Sequence, residues 1–116
     1  MRNASRGDSR EPAVGRTPTS LETIDLGERG VVTIVPDGSA LARAGAERFA
    51  QAVERAVAER GQAFVALSGG TTPKQMGGLL AREPYRSRIP WDRLHVFWGD
   101  ERWAPLGSPE SNAGEA

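Results

Sequence analysis

The sequence has no cysteine and a single histidine, His95. It can build neither a disulfide framework nor a thiolate metal site, and one imidazole among scattered carboxylates makes no ligand cluster, so no metal is expected. The missing cysteines also fit a reducing compartment. No apolar run approaches the roughly 20 residues of a membrane span, and the N-terminus lacks the apolar core of a secretory signal. The expectation is a cytoplasmic protein that meets no membrane. Excess charge is absent too: 15 Lys and Arg balance 15 Asp and Glu, which argues against wholesale binding to nucleic acid. A chain of 116 residues has room for one domain with a modest core.

What is present is concentrated after residue 20. Residues 1–20 are rich in Arg, Ser, Gly, Pro and Thr, with Val14 their only large aliphatic residue after Met1. They are expected to be a disordered tail, because such a stretch cannot bury enough surface to offset its ordering entropy. A short strand is expected around Thr23–Leu26. Val31–Val35 is a β-branched run ended by Pro36 and reads as the first firm strand. Asp37 or Ser39 can cap the long helix that follows. Its stripe of Leu41, Gly45, Phe49, Val53 and Val57, widened by Ala42, Ala46, Ala52 and Ala56, has helical spacing, and Gly61 stands where a C-cap glycine belongs. Ala63–Leu67 is the second strand, Pro73 to about Ala81 a second helix, and Leu94–Trp98 the third strand. Trp91, Trp98 and Trp103 flank that strand as core or loop anchors, and a further helix begins at Ser111–Ala113. Continuously apolar strands separated by helices predict an α/β fold: a partial parallel sheet of βαβαβ type with helices on both faces.

The segment Ser68-Gly69-Gly70-Thr71-Thr72-Pro73-Lys74 joins the second strand to its helix. Two glycines allow close backbone approach, the hydroxyls donate, and the unpaired N–H groups at the helix start suit a phosphate or carboxylate. It is neither a dinucleotide fingerprint nor a P-loop. Ala66 to Gly70 approximates a nucleophile elbow with alanine in the first glycine position, but a serine nucleophile needs a base within reach, and His95 lies in mid-strand. His95 is therefore read as a core or sheet histidine. Gly99-Asp100-Glu101-Arg102 ends the third strand, at the sheet edge where such folds bind ligands. Adjacent residues cannot share one direction, so one carboxylate can face the cleft while the other turns to structure. Arg102 suits bidentate phosphate recognition, and an anion would explain Lys74 in the first helical turn. Without a ligand, the same residues are a tight turn, a surface ion pair and a solvated lysine.

Taken together, Ser68–Lys74, then Trp91 to Arg102, then Ser108-Pro109-Glu110-Ser111-Asn112 resemble the N-terminal half of the 6-phosphogluconolactonases, from about Val31 onward. That family shares its fold and phosphate loop with the glucosamine-6-phosphate deaminases, whose corresponding motif resembles Asp-Glu-Tyr. Arg102 stands in the tyrosine position here, which favours the lactonase. The resemblance implies hydrolysis of 6-phospho-D-glucono-1,5-lactone to 6-phosphogluconate in the pentose phosphate pathway, with no cofactor and no metal. It implies that Ser68, Gly69, Gly70, Thr71, Thr72, Lys74 and Arg102 hold the 6-phosphate of a sugar phosphate and that Asp100 helps order the site. The family's water-activating base is a histidine in a Gly-His-Thr segment that this sequence lacks. The resemblance thus implies an inactive fragment, with residues 21–116 the N-terminal part of the domain. The alternatives are an amino-sugar phosphate deaminase or isomerase, and a non-catalytic sugar-phosphate-binding module.

Overall fold

The computed structural model describes residues 21–116; the stretch expected to be disordered, residues 1–20, lies outside the described residues. The chain divides between Pro36 and Asp37 into two units.

In the first, β1 (Glu22–Asp25) pairs antiparallel with β2 (Val31–Ile34), in a register running from Glu22 opposite Ile34 to Asp25 opposite Val31. The turn between them is closed locally. Asp25 Oδ1 accepts the Gly27 N–H at 2.7 Å, the Leu26 N–H donates to the Gly30 carbonyl at 2.8 Å, and Gly27 and Gly30 take φ of 64° and 122°. This corrects the expectation that Val31–Val35 is the first strand of a three-stranded parallel sheet. A tight turn lets neighbouring strands pair with little loop-closure entropy, whereas parallel pairing needs a crossover through a whole helix.

The second unit runs through α1 (Gly38–Arg60), β3 (Ala63–Leu67), α2 (Thr71–Leu80), α3 (Tyr85–Arg88), β4 (Leu94–Trp98) and α4 (Asn112–Glu115). The long helix is capped as its sequence predicts. Asp37 accepts the Ala40 N–H at 2.7 Å, and Gly61, in the left-handed region at φ 79°, donates to the Val57 carbonyl at 2.8 Å. Its buried face is rotated from the expected stripe: Ala42, Ala46, Ala50 and Val53 are buried, Leu41 is 44% exposed and Ala52 is exposed. The small residues mark where α2 approaches most closely. A Cβ on Gly45 would stand 3.1 Å from the Met76 sulfur. Arg88 of α3 clamps onto the opposite side of α1, with its Nη2 at 2.7 Å from both Glu47 and Glu54. The hydrogen bonds to Glu47 and then Glu54 raise the Arg88 pKa, and the Arg88 bond lowers that of Glu47.

Strands β3 and β4 pair in parallel, from Ala63 beside Leu94 to Leu67 beside Trp98, so the α/β class with a parallel sheet holds. Ala63, Val65 and Leu94 pack into a core with Ala46, Ala50, Val53, Leu80 and Ile89. The other face is open. Phe64 and Phe97 are 58% and 56% exposed, and the exposed His95 ring stacks on Phe64 with centroids 4.8 Å apart. The expectation of helices on both faces is corrected to this extent: the pleat sends alternate residues to opposite sides, and α1, with α2 packed on it, covers only the Ala63 side among the described residues. No helix of the described residues is long and apolar enough to cross a membrane.

Candidate functional site

The glycine segment is a tighter turn than its sequence predicts. Helix α2 starts at Thr71 rather than Pro73, which leaves Pro73 third in the helix, where its missing N–H forfeits no helical bond. Gly70 is the N-cap, at φ 116° and ψ 175°, a conformation open essentially to glycine alone. It supplies no capping side chain. The first helical N–H with an acceptor is that of Lys74, which donates to the Gly70 carbonyl at 3.1 Å. Gly70, Thr71 and Thr72 are exposed, and their N–H groups meet no acceptor among the described residues. They form a donor cluster at the positive end of a helix dipole. Ser68 is exposed beside them.

A second turn lies alongside. The Gly99 N–H donates to the Leu67 carbonyl at 2.9 Å, extending the β3–β4 ladder one bond past the strands, so that the Gly99–Arg102 turn and the Ser68–Thr72 loop leave the same edge of the sheet. Of the two carboxylates there, Glu101 is engaged in structure. Its oxygens accept from the Arg102 N–H (2.7 Å), the Asn112 N–H (2.7 Å), the Ala113 N–H (2.9 Å) and the Ser111 hydroxyl (3.1 Å). Those N–H donors, Ala113 first, then Arg102 and Asn112, with help from Ser111, lower the Glu101 pKa from its ordinary 4.5 to about 2 against the pull of desolvation. Asp100 remains exposed, touched through its Oδ1 by the Asn112 amide at 3.4 Å.

The bond set of Glu101 predicts an acid signature. A carboxylate whose folded pKa is depressed contributes stability in full above its unfolded pKa and loses it as pH falls toward the folded value. The gap in thermal stability between the native chain and Glu101→Gln should therefore be constant above pH 5, shrink between about 4.5 and about 2, and vanish below. Melting curves across that range check it.

Arg102 is exposed, and no carboxylate of the described residues lies within ion-pairing distance of its guanidinium. Lys74 pairs instead with Glu115, at 3.2 Å and with both side chains largely in water. Trp91 is a loop anchor, its indole N–H donating to the Arg86 carbonyl at 2.8 Å, and Trp98 is half-buried. Trp103 is not an anchor: it is fully exposed in the loop beyond Arg102. His95 pairs with Phe64, four residues before Ser68, so it lies about 13 Å along the sheet at the usual strand rise. That distance removes it as a base for a serine nucleophile. No group of three or more metal-ligating side chains occurs among the described residues.

Asn112, part of the Ser108–Asn112 motif but not among the expected site residues, belongs to the site as well. Its amide lies against the backbone of Gly69, so closely that any Cβ there would collide with it, and its Nδ2 donates to the Asp100 carbonyl at 3.2 Å. The two glycines thus serve different needs: Gly70 the backbone conformation, Gly69 the room for Asn112. The Ser-Asn pair in Ser108–Asn112 was the available signal.

Comparison with known proteins gives a consistent answer. A family model described as glucosamine-6-phosphate isomerases/6-phosphogluconolactonase matches residues 36–116. A 6-phosphogluconolactonase of Mesorhizobium japonicum is 48% identical over 79 residues, covering 68% of this chain and 32% of that protein. One from Synechocystis is 50% identical over 60 residues, covering 52% of this chain and 23% of that protein. The crystal structure of a 6-phosphogluconolactonase from Shewanella baltica superposes with a TM-score of 0.60 at 32% identity, over 68% of this chain and 32% of that one. The chain spans 32% of the Mesorhizobium relative's length and less of the Synechocystis one.

Proposed function

Because the chain belongs to the glucosamine-6-phosphate isomerase/6-phosphogluconolactonase family, we propose that its glycine loop binds the 6-phosphate of 6-phosphoglucono-1,5-lactone and of its hydrolysis product. The observation that carries this reading is the cluster of N–H groups at Gly70, Thr71 and Thr72 that meet no acceptor among the described residues, with Arg102 exposed on the turn after the neighbouring strand. The N–H groups and the Thr71 and Thr72 hydroxyls donate to the phosphate oxygens, Arg102 adds a bidentate pair, and Ser68 and Lys74 stand at the margin. In this reading residues 21–116 are the N-terminal part of a lactonase domain, and its compartment is the cytoplasm, which the absence of cysteine supports.

Hydrolysis requires water to add to the lactone carbonyl and the ring C–O bond to break, with the ring oxygen taking up a proton. A base must hold the proton that water gives up. Of the carboxylates around the loop, Glu101 is taken up by its four donors, Glu115 pairs with Lys74 and Asp100 is touched by Asn112, while the one imidazole stacks on Phe64 in mid-sheet. The chain is therefore a binder of the phosphate end and not by itself a hydrolase. Calorimetric titration with 6-phosphogluconate should saturate at one site, while fresh lactone followed by acid release should decay at its spontaneous rate. Hydrolysis clearly above that background would overturn the second half of the proposal, and the absence of saturable binding the first.

A further inference from the structure

We propose that Glu101 is a positioning residue that acts on the phosphate loop through Asn112: its carboxylate pins the chain at Ser111–Ala113, and the pinned Asn112 amide bridges Gly69 to Asp100. The binding half of the proposal rests on the phosphate reading above; the geometric half does not.

Three segments meet here: Glu101 holds Ser111–Ala113, and Asn112 of that segment reaches Gly69. All four of its strong acceptor positions are filled, one by its neighbour Arg102 and three by the start of α4. Ser111, one of those donors, is 2% exposed and also caps the helix by accepting the Gly114 N–H at 3.0 Å. The segment therefore has a single seated position. In that position the Asn112 Oδ1 abuts Gly69 while its Nδ2 reaches the carbonyl and carboxylate of Asp100 at 3.2 and 3.4 Å. The Asn112 side chain thus backs the peptide that leads into the N–H groups of Gly70, Thr71 and Thr72 and touches the carboxylate on the neighbouring turn. The exposed Lys74–Glu115 pair runs between the same two helices, but an ion pair in water adds little. Preorganised donors bind an anion better than donors that must first be ordered, so the carboxylate acts on affinity without touching the ligand.

The test uses the whole chain and resonance assignments of its amides, with 6-phosphogluconate as the probe. In the free protein, Glu101→Gln should shift the Gly69 amide and the Asn112 side-chain NH2 resonances, while Val65 and Val96 in the sheet stay in place. Glu101→Gln and Asn112→Ala should each weaken 6-phosphogluconate binding by about tenfold, the scale of one charge-assisted hydrogen bond. The double variant should be no weaker than either single one, because both changes break the same link. Glu110→Gln, on the same loop but outside the link, should change nothing. Unmoved Gly69 resonances in Glu101→Gln, or losses that multiply in the double variant, would overturn the proposal. If the native chain binds no 6-phosphogluconate at all, the phosphate reading fails, and the Gly69 resonance alone decides the link.

Discussion

Gly69→Ala is expected to abolish most 6-phosphogluconate binding while leaving the fold standing, and Gly70→Ala to damage both. The two residues are neighbours in one loop, yet the structure uses them differently. Gly69 has an ordinary backbone, but a Cβ there collides with the Asn112 amide. That amide is the end of a half-buried side chain and can swing out, so the cost in stability is small and the cost in loop order is large. At least a tenfold loss of affinity follows if one charge-assisted hydrogen bond to the phosphate is misplaced. Gly70 has open space around its α-carbon apart from a Pro73 contact at 3.8 Å, but its φ of 116° is one that alanine takes only under strain. That strain lies on the order of 1–3 kcal/mol and should lower the melting temperature. Combining Gly69→Ala with Asn112→Gly removes the collision but not the defect, so binding should stay weak. Calorimetry and thermal melts of the three variants separate the two effects.

Ala46→Leu should destabilise the second unit by about 1–3 kcal/mol, the usual penalty for overpacking a filled core, whereas Leu41→Ala should be nearly silent. Ala46 is fully buried, and Leu41 on the same helix is 44% exposed. A periodicity argument ranks them the other way, because leucine is the more apolar residue. The close approach of α2 reverses the order: where Gly45 meets Met76, only small side chains fit between the helices. The core is small, and net stabilities of domains this size are marginal. A loss of that size would shift the unfolding midpoint in urea visibly, and an unchanged midpoint would mean that α1 packs on the Leu41 stripe instead.

These two cases show what was legible in the sequence. The caps at Asp37 and Gly61, the two parallel strands and the turn at Ser68–Lys74 are local patterns, and each could be read from residue type and spacing. The rotation of α1 depended on a helix about 30 residues further along the chain, and no period within α1 reports that. The pairing of Val31–Ile34 turned on the Asp25–Gly30 turn closing more cheaply than a crossover. The role of Glu101 was half legible, since adjacent carboxylates must diverge; which of them turns inward became clear only once Ser111 and Asn112 were seen folded back onto it. The open sheet face with Phe64 and Phe97 was hidden for a simpler reason. An apolar run reads the same whether one of its faces is covered or both.

The central claim is that the N–H groups at the start of α2 hold a sugar phosphate. Titrating the chain with 6-phosphogluconate while following its amide resonances tests it most directly. Saturable shifts largest at Gly70, Thr71 and Thr72, with Arg102 following and the Gly27–Gly30 turn unmoved, are the predicted result. Shifts that never saturate, or that centre anywhere other than these three amides, would contradict it.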